Sequence, residues 1–193
     1  MAQNHRELVH ANETVLETLT MNPRHLLPLT LAVVTMAFTA TTAHAAPPSK
    51  SQGGAPSVGE TVDLKFTDAH GKHVDLSALK GKVVLVDFWA TWCGPCVGEV
   101  PNVVKTYEKL HDKGFEIIGI SLDQDKVALT KFTKDKKMTW PQYFDGQGWK
   151  NKIATKFGIH SIPAMWLVDK EGKLVSTNAR GGLESEVEKL LAK

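Results

Sequence analysis

The sequence predicts an α/β fold, a central mixed sheet flanked by helices. Three observations carry that prediction. Two continuous apolar runs, "KVVLVDFWA" at 82–90 and "FEIIGISL" at 115–122, read as strands buried on both faces. Segments with helical spacing of apolar residues alternate with them. Towards the end, "SIPAMWLVDKEGKLV" at 161–175 reads as a strand, an Asp-Lys-Glu-Gly turn and a returning strand, a closing hairpin.

Residues 1–20 do not fit the segment after them and are expected to be an upstream extension or the product of a mis-assigned start, because Met21 opens that segment. Residues 21–45 hold Arg24, an apolar run from Leu26 to Phe38 and the small residues Ala43–Ala45. Charge, apolar core and small-residue end in that order form the pattern of a secretory signal peptide. The run is short for a membrane span of roughly 20 residues, so cleavage after Ala45 is expected, with an uncut anchor as the alternative. The protein is therefore expected in the periplasm or another extracytoplasmic space. Residues 46–60, "APPSKSQGGAPSVGE", read as a flexible linker, and 61–193 as the folded domain.

Within that domain, "TVDLKFTD" and "HVDLS" flank the turn "AHGK" and predict an N-terminal hairpin. The buried strand at 82–90 leads into a helix that opens at the cysteines and runs to about Asp112. Val100, Val103, Val104, Tyr107 and Leu110 recur along it at helical spacing, Pro101 should kink it, and Gly114 closes it. After the strand at 115–122, "KVALTKFTKDKK" predicts an amphipathic helix and "WPQYFDGQGW" a short strand and loop. "KIATKFG" is a brief helix ending at Gly158, and "LESEVEKLLAK" a final one with Leu183, Val187, Leu190 and Leu191 on one side.

The charge is mixed in sign, with a formal net of +2, which leaves no electrostatic footprint for nucleic acid. The densest basic run, "KFTKDKKM" at 131–138, reads as the solvated face of a helix. About 135 ordered residues bury a core without staples. The two cysteines of the chain, Cys93 and Cys96, are therefore not needed for stability. Outside the cytoplasm such a pair oxidises unless electrons are supplied to it.

Three roles are open to the pair. As a redox couple, residues i and i+3 at a helix start lie roughly 5–6 Å apart at Cβ, close to the 3.5–4.5 Å of a disulfide. Pro95 is tolerated there because first-turn amides have no partner in the helix. Unpaired N–H groups and the positive end of the helix dipole lower a thiol pKa from about 8.5 towards roughly 3.5–7.5. Cys93 is then the exposed attacking thiol and Cys96, one turn deeper, the resolving one. As metal ligands the pair lacks company: a structural zinc usually takes four Cys or His ligands, and His160 is the only nearby addition. As a staple, a four-residue loop removes little chain entropy.

The segment "VDFWATWCGPC" at 86–96 resembles the active-site segment of the thioredoxin superfamily, and "GIHSIPAMWLVDKEGKLV" at 158–175 its second hallmark. The resemblance covers roughly residues 58–193. "CVGEVP" at 96–101 and an inserted helix-strand segment near 123–145 are similar to the TlpA/ResA-like branch. The resemblance implies a thioredoxin-like fold and an exported thiol-disulfide oxidoreductase that reduces disulfides in envelope proteins such as apocytochrome c. It also implies a membrane electron donor of the DsbD/CcdA kind. A monomer without cofactor is expected.

Residue by residue, the resemblance places Asp87 as a buried carboxylate beneath the disulfide, able to exchange the proton of Cys96. Branch members often have an amide there. Glu99 would tune thiol acidity, its charge opposing the dipole. Pro163 would follow a cis bond and present the backbone of Ile162 to an extended substrate. Trp92, Gly94 and Pro95 would complete the contact surface. Trp89, Trp140, Trp149 and Trp166 read as core or loop packing. Gly94 and Pro95 are also the thioredoxin choice between the cysteines. Thioredoxin sits near about −270 mV and the oxidant DsbA near about −120 mV, a gap of roughly 7 kcal/mol in reducing preference. The expected direction is therefore reduction of substrates. The competing functions are a copper-binding metallochaperone using the same cysteines and His160, and peroxide reduction. The latter is disfavoured because Ala90 stands where a threonine precedes the peroxidatic cysteine.

Overall fold

The computed structural model describes residues 54–193. The extension and signal-peptide expectations lie outside those residues. A five-stranded sheet in the order β5-β4-β3-β6-β7 forms the centre, and a separate two-stranded sheet, β1-β2, stands beside it. The first hairpin is shorter than its sequence pattern, with β1 at Lys65–Thr67 and β2 at His73–Asp75. Asp75 ends β2 by accepting from the Ser77 N–H and opens a 3-10 turn over Leu76–Leu79, so the "LS" end of the expected strand curls instead of extending.

β3, Val83–Trp89, is buried along its whole length. It runs parallel to β4, Phe115–Ser121, and antiparallel to β6, Ala164–Val168. Packing covers both faces of the sheet here, which is why its residues carry no polar alternation. β5, Gln142–Tyr143, adds a parallel outer strand, and β7, Leu174–Ser176, closes the hairpin with β6. The inserted segment is α2, Lys126–Asp135, followed by β5. α3 spans Lys152–Lys156 and α4 spans Leu183–Leu191.

The helix after β3, α1, spans Gly94–Leu110 and continues across Pro101. A 3-10 turn over His111–Lys113 follows, ended by Gly114 at φ 102°, in the left-handed region glycine tolerates. Val100, Val103 and Leu110 are buried as the pattern predicts, and Thr106 joins them. Phe88 and Trp89 alternate across β3. Phe88 meets Phe157, beyond α3, and Trp166, whereas Trp89 meets Phe132 of α2, so aromatic packing seals both faces.

The end of the stretch read as linker is held in place. Gly59 N–H donates to the Leu174 carbonyl at 2.7 Å, Leu174 N–H returns to Glu60 at 2.9 Å, and Pro56 is buried. These bonds cover the outer edge of β7, which would otherwise expose unpaired backbone groups.

At the other edge, Gln142 Oε1 accepts from Trp89 Nε1–H at 3.0 Å. The amide reaches that position across Gly119, where any Cβ would overlap the Gln142 side chain. Gly119→Ala is therefore expected to cost about 1–3 kcal/mol, the usual cost of overpacking a filled site. Urea unfolding reads this as an earlier midpoint; an unchanged midpoint would show that Gln142 leaves the site freely.

Candidate active site

β3 ends at Trp89, and three residues connect it to Cys93, the N-cap of α1. Backbone and side chains hold this connection. Cys93 N–H donates to the Ala90 carbonyl at 3.1 Å, and Leu122 N–H donates to the Trp89 carbonyl at 2.8 Å. Thr91 is fixed from the end of β4: its N–H donates to both carboxylate oxygens of Asp123, at 3.1 and 3.2 Å, and its hydroxyl donates to Oδ1 at 2.6 Å. The Ser121 hydroxyl donates to the other oxygen of Asp123 at 2.7 Å. Asp123 is buried, and its acceptors are spent on positioning the cysteine loop.

Cys93 and Cys96 are joined as a disulfide with Cα atoms 5.2 Å apart. Cys96 N–H donates to Cys93 Sγ at 3.2 Å, the capping bond of α1. The first turn contains no acidic residue, so Cys93 Sγ faces the positive end of the helix without a counter-charge in that turn. Cys93 is 6 % exposed and Cys96 3 %. Cys93 is thus the more open of the two, but in the oxidised form it is a buried residue and not the exposed one expected, with the loop before β6 bringing the Ile162 carbonyl against it. Gly94 and Pro95 are exposed above the ring.

That loop brings the second hallmark to the first. The Ile162–Pro163 bond is cis, and the Ile162 carbonyl oxygen lies 3.8 Å from Cys93 Sγ. His160 is exposed on the same loop. Among the described residues no three His, Cys, Asp or Glu side chains gather as a metal-binding group.

Asp87 sits in the middle of β3, paired with Gly119 on one side and Met165 on the other. It is 7 % exposed, and its Oδ1 has no hydrogen-bond partner. Burial pushes its carboxyl up to about 7, with the charge of Glu99 adding to the shift. Glu99 is half-buried on α1, where Arg180 Nε, from the loop before α4, reaches its Oε1 at 3.2 Å and Asn102 Nδ2 its Oε2 at 3.5 Å. So Glu99 faces both a cation and a buried carboxyl.

The chain as a whole is similar to known proteins. A sequence model of the redoxin family matches residues 46–191. The chain belongs to the redoxin family. This redoxin is 33% identical over 134 residues to the thiol-disulfide oxidoreductase ResA of Bacillus thuringiensis subsp. konkukian, covering 69% of this chain and 76% of the relative. To ResA of Bacillus subtilis it is 31% identical over 125 residues, covering 63% and 68%. Among solved structures, the thioredoxin domain of a thiol-disulfide oxidoreductase from Bacteroides vulgatus superposes with a TM-score of 0.63 at 34% identity, covering 71% of this chain and 99% of that one. A thiol:disulfide interchange protein from a Bacteroides species gives 0.59 at 35% identity, covering 74% and 91%. The redoxin is a TlpA/ResA-like thiol-disulfide oxidoreductase of the thioredoxin superfamily.

The redoxin's site has four members that sequence reasoning passed over: Thr91, Asp123, Arg180 and Trp149. Trp149, read as packing, is half-exposed beside Trp92. Asp123 had a signal, since it follows the carboxyl end of a parallel strand, where α/β sheets place their sites. Arg180 had none, standing 81 residues from Glu99.

Asp87 couples the redoxin's stability to pH. An unfolded aspartate ionises near 3.9, whereas the folded one keeps its proton to about 7. The stabilisation from that proton is complete below about pH 4 and lost as pH rises through about 7, on the order of 4 kcal/mol in total. Asp87→Asn is expected to abolish most of this loss. Urea midpoints between pH 4 and 8 should fall for the wild type and stay level for the variant; parallel curves would remove Asp87 as the cause.

Proposed function

We propose that this redoxin is an exported reductase of protein disulfides, acting on envelope proteins such as apocytochrome c in the periplasm or an equivalent compartment. The observation that carries the reading is the environment of Cys93 Sγ: bonded to Cys96, 3.2 Å from the Cys96 N–H and 3.8 Å from the Ile162 carbonyl. One sulfur meets a leaving partner, a stabilising donor and an edge for an incoming chain.

In the reduced enzyme the Cys93 thiolate attacks a substrate disulfide. One substrate sulfur leaves as a thiolate and the other is held as a mixed disulfide. Cys96 Sγ then attacks Cys93 Sγ, re-forming the ring and releasing the second substrate thiol, so two electrons pass to the substrate. Asp87, with a carboxyl that titrates near about 7, accepts the proton Cys96 gives up as it attacks. Glu99 opposes the positive helix end and Arg180 limits that opposition, which sets the acidity of the pair. The substrate backbone pairs with Ile162 in extended form beside Pro163, and Trp92, Gly94 and Pro95 supply the rim.

A membrane donor of the DsbD/CcdA kind recharges the pair, and the enzyme works as a monomer. The signal-like residues 21–45 support export, and no helix among the described residues is long and apolar enough to cross a membrane.

The wild type is expected to accelerate insulin reduction by dithiothreitol. Cys93→Ser should reduce the rate to that of dithiothreitol alone; acceleration by the variant, or none by the wild type, would refute thiol catalysis through Cys93. In cells, Cys96→Ala should accumulate mixed disulfides with envelope proteins on Cys93. Adducts found exclusively with cytoplasmic proteins would overturn the location and the substrate class.

A further inference from the structure

Four large apolar side chains stand out of the described surface, and two of them, Trp92 and Trp149, stand together. Trp92 is 53% exposed and Trp149 51%. Their ring centroids are 6.1 Å apart with planes tilted by 57°. Leaving two indoles half in water is unfavourable, and contiguous exposed apolar groups of this kind mark interaction surfaces.

The loop that carries Trp149 is firmly built. Asp145 accepts from the Tyr143 hydroxyl at 3.2 Å, from Gln147 N–H at 3.0 Å and from Lys152 N–H at 2.8 Å. Gly146 and Gly148 turn the chain at φ 72° and 56°. Asn151 caps α3 with its oxygen and donates its amide to the Ser121 carbonyl at 3.0 Å. Ser121 also contacts the Asp123 that fixes Thr91, so both tryptophans hang from the same end of β4. Between them opens a cleft of about 360 Å³, lined also by Leu122, Gln124, Gln147 and Lys150.

We propose that this cleft is a specificity pocket for the substrate, receiving an aromatic or large aliphatic side chain that lies within a few residues of the disulfide being reduced. The inference rests on the reductase reading. The occupant follows from continuity: Trp92 borders the cleft and directly precedes Cys93, so an extended chain whose sulfur meets Cys93 passes the opening. A wall of two indoles suits a ring or branched aliphatic group. The Gln124 and Gln147 amides and the Lys150 ammonium supply donors for the flanking carbonyls. Fixed aromatic anchors at a centre of contact carry most of the recognition energy.

The test uses the full-length chain, reduced, and two disulfide-closed peptides that differ by Phe or Ser two residues from one cysteine. The wild type should favour the Phe peptide by about tenfold in kcat/KM, mostly through KM, the scale of an apolar pocket's preference. In Trp149→Ala the Phe-to-Ser ratio should fall to near one, and Trp149→Phe should restore most of it. Taking the ratio cancels any general change in thiol reactivity, which the rate on hydroxyethyl disulfide measures separately. An equal ratio in wild type and Trp149→Ala would overturn the pocket while leaving the reductase reading intact. So would a concentration-dependent dimer abolished by Trp149→Ala, which would make a second copy the occupant. Failure of the wild type to reduce either peptide or insulin would overturn the reductase reading and the pocket with it.

Discussion

A single capping contact organises this protein's chemistry: Cys93 Sγ takes the place a serine or aspartate oxygen usually fills at a helix start, and the Cys96 N–H points at it. The sulfur proposed to attack substrate is therefore also the group that satisfies α1. Anything that displaced Cys93 from the cap would lose the donor and the dipole together. The three-residue connection from β3 is correspondingly restrained, from its own backbone by Ala90 and from β4 by Asp123. A buried carboxylate spent entirely on orienting a short loop is costly unless fully hydrogen-bonded, and Asp123 is paired through both oxygens.

Around that cap, two acids act with different force. Helix termini contribute about 0.3–1 kcal/mol to a nearby charge when exposed, and up to about 2 when partly buried. Asp87, in the strand below, meets a larger effect because burial without a partner displaces its titration to about 7. Glu99 lies nearer the surface and shares its charge with Arg180, so its influence is screened and adjustable. Desolvation is thus the dominant influence on Asp87, with Glu99 a smaller correction. The loop before α4 brings Arg180 to Glu99, so a piece of chain 81 residues away supplies the cation beside that carboxylate.

The surface near the disulfide is arranged on the same anchoring point. Ser121, Asp123 and Asn151 gather at the carboxyl end of β4, and from there Thr91–Trp92 and the Trp149 loop both project. Anchoring two loops at one strand end holds their aromatic tips in a constant relation without burying them. The inserted α2-β5 segment contributes at one remove: Gln142 braces Trp89 across Gly119.

Much of the molecule was legible from local pattern alone. The apolar runs of β3 and β4, the helical spacing of Val100, Val103 and Leu110, the turn before β7 and the cysteine pair all depend on neighbours within a few positions. Periodicity and capping act at that range, so the sequence determined the order of elements and the chemistry available at Cys93 and Cys96. Local propensity gave the first hairpin but overran its length, where Asp75 turned the chain early, and it missed that Gly59 and Glu60, at the end of the stretch read as tether, find partners on Leu174. The packed fold alone decided how far each sulfur is covered. It also decided that Arg180 meets Glu99, that Asp123 holds Thr91, and that Trp149 stands beside Trp92. Those pairings join residues tens of positions apart, and no periodic signal survives that distance; they exist because the sheet brings strand ends and loops to one place.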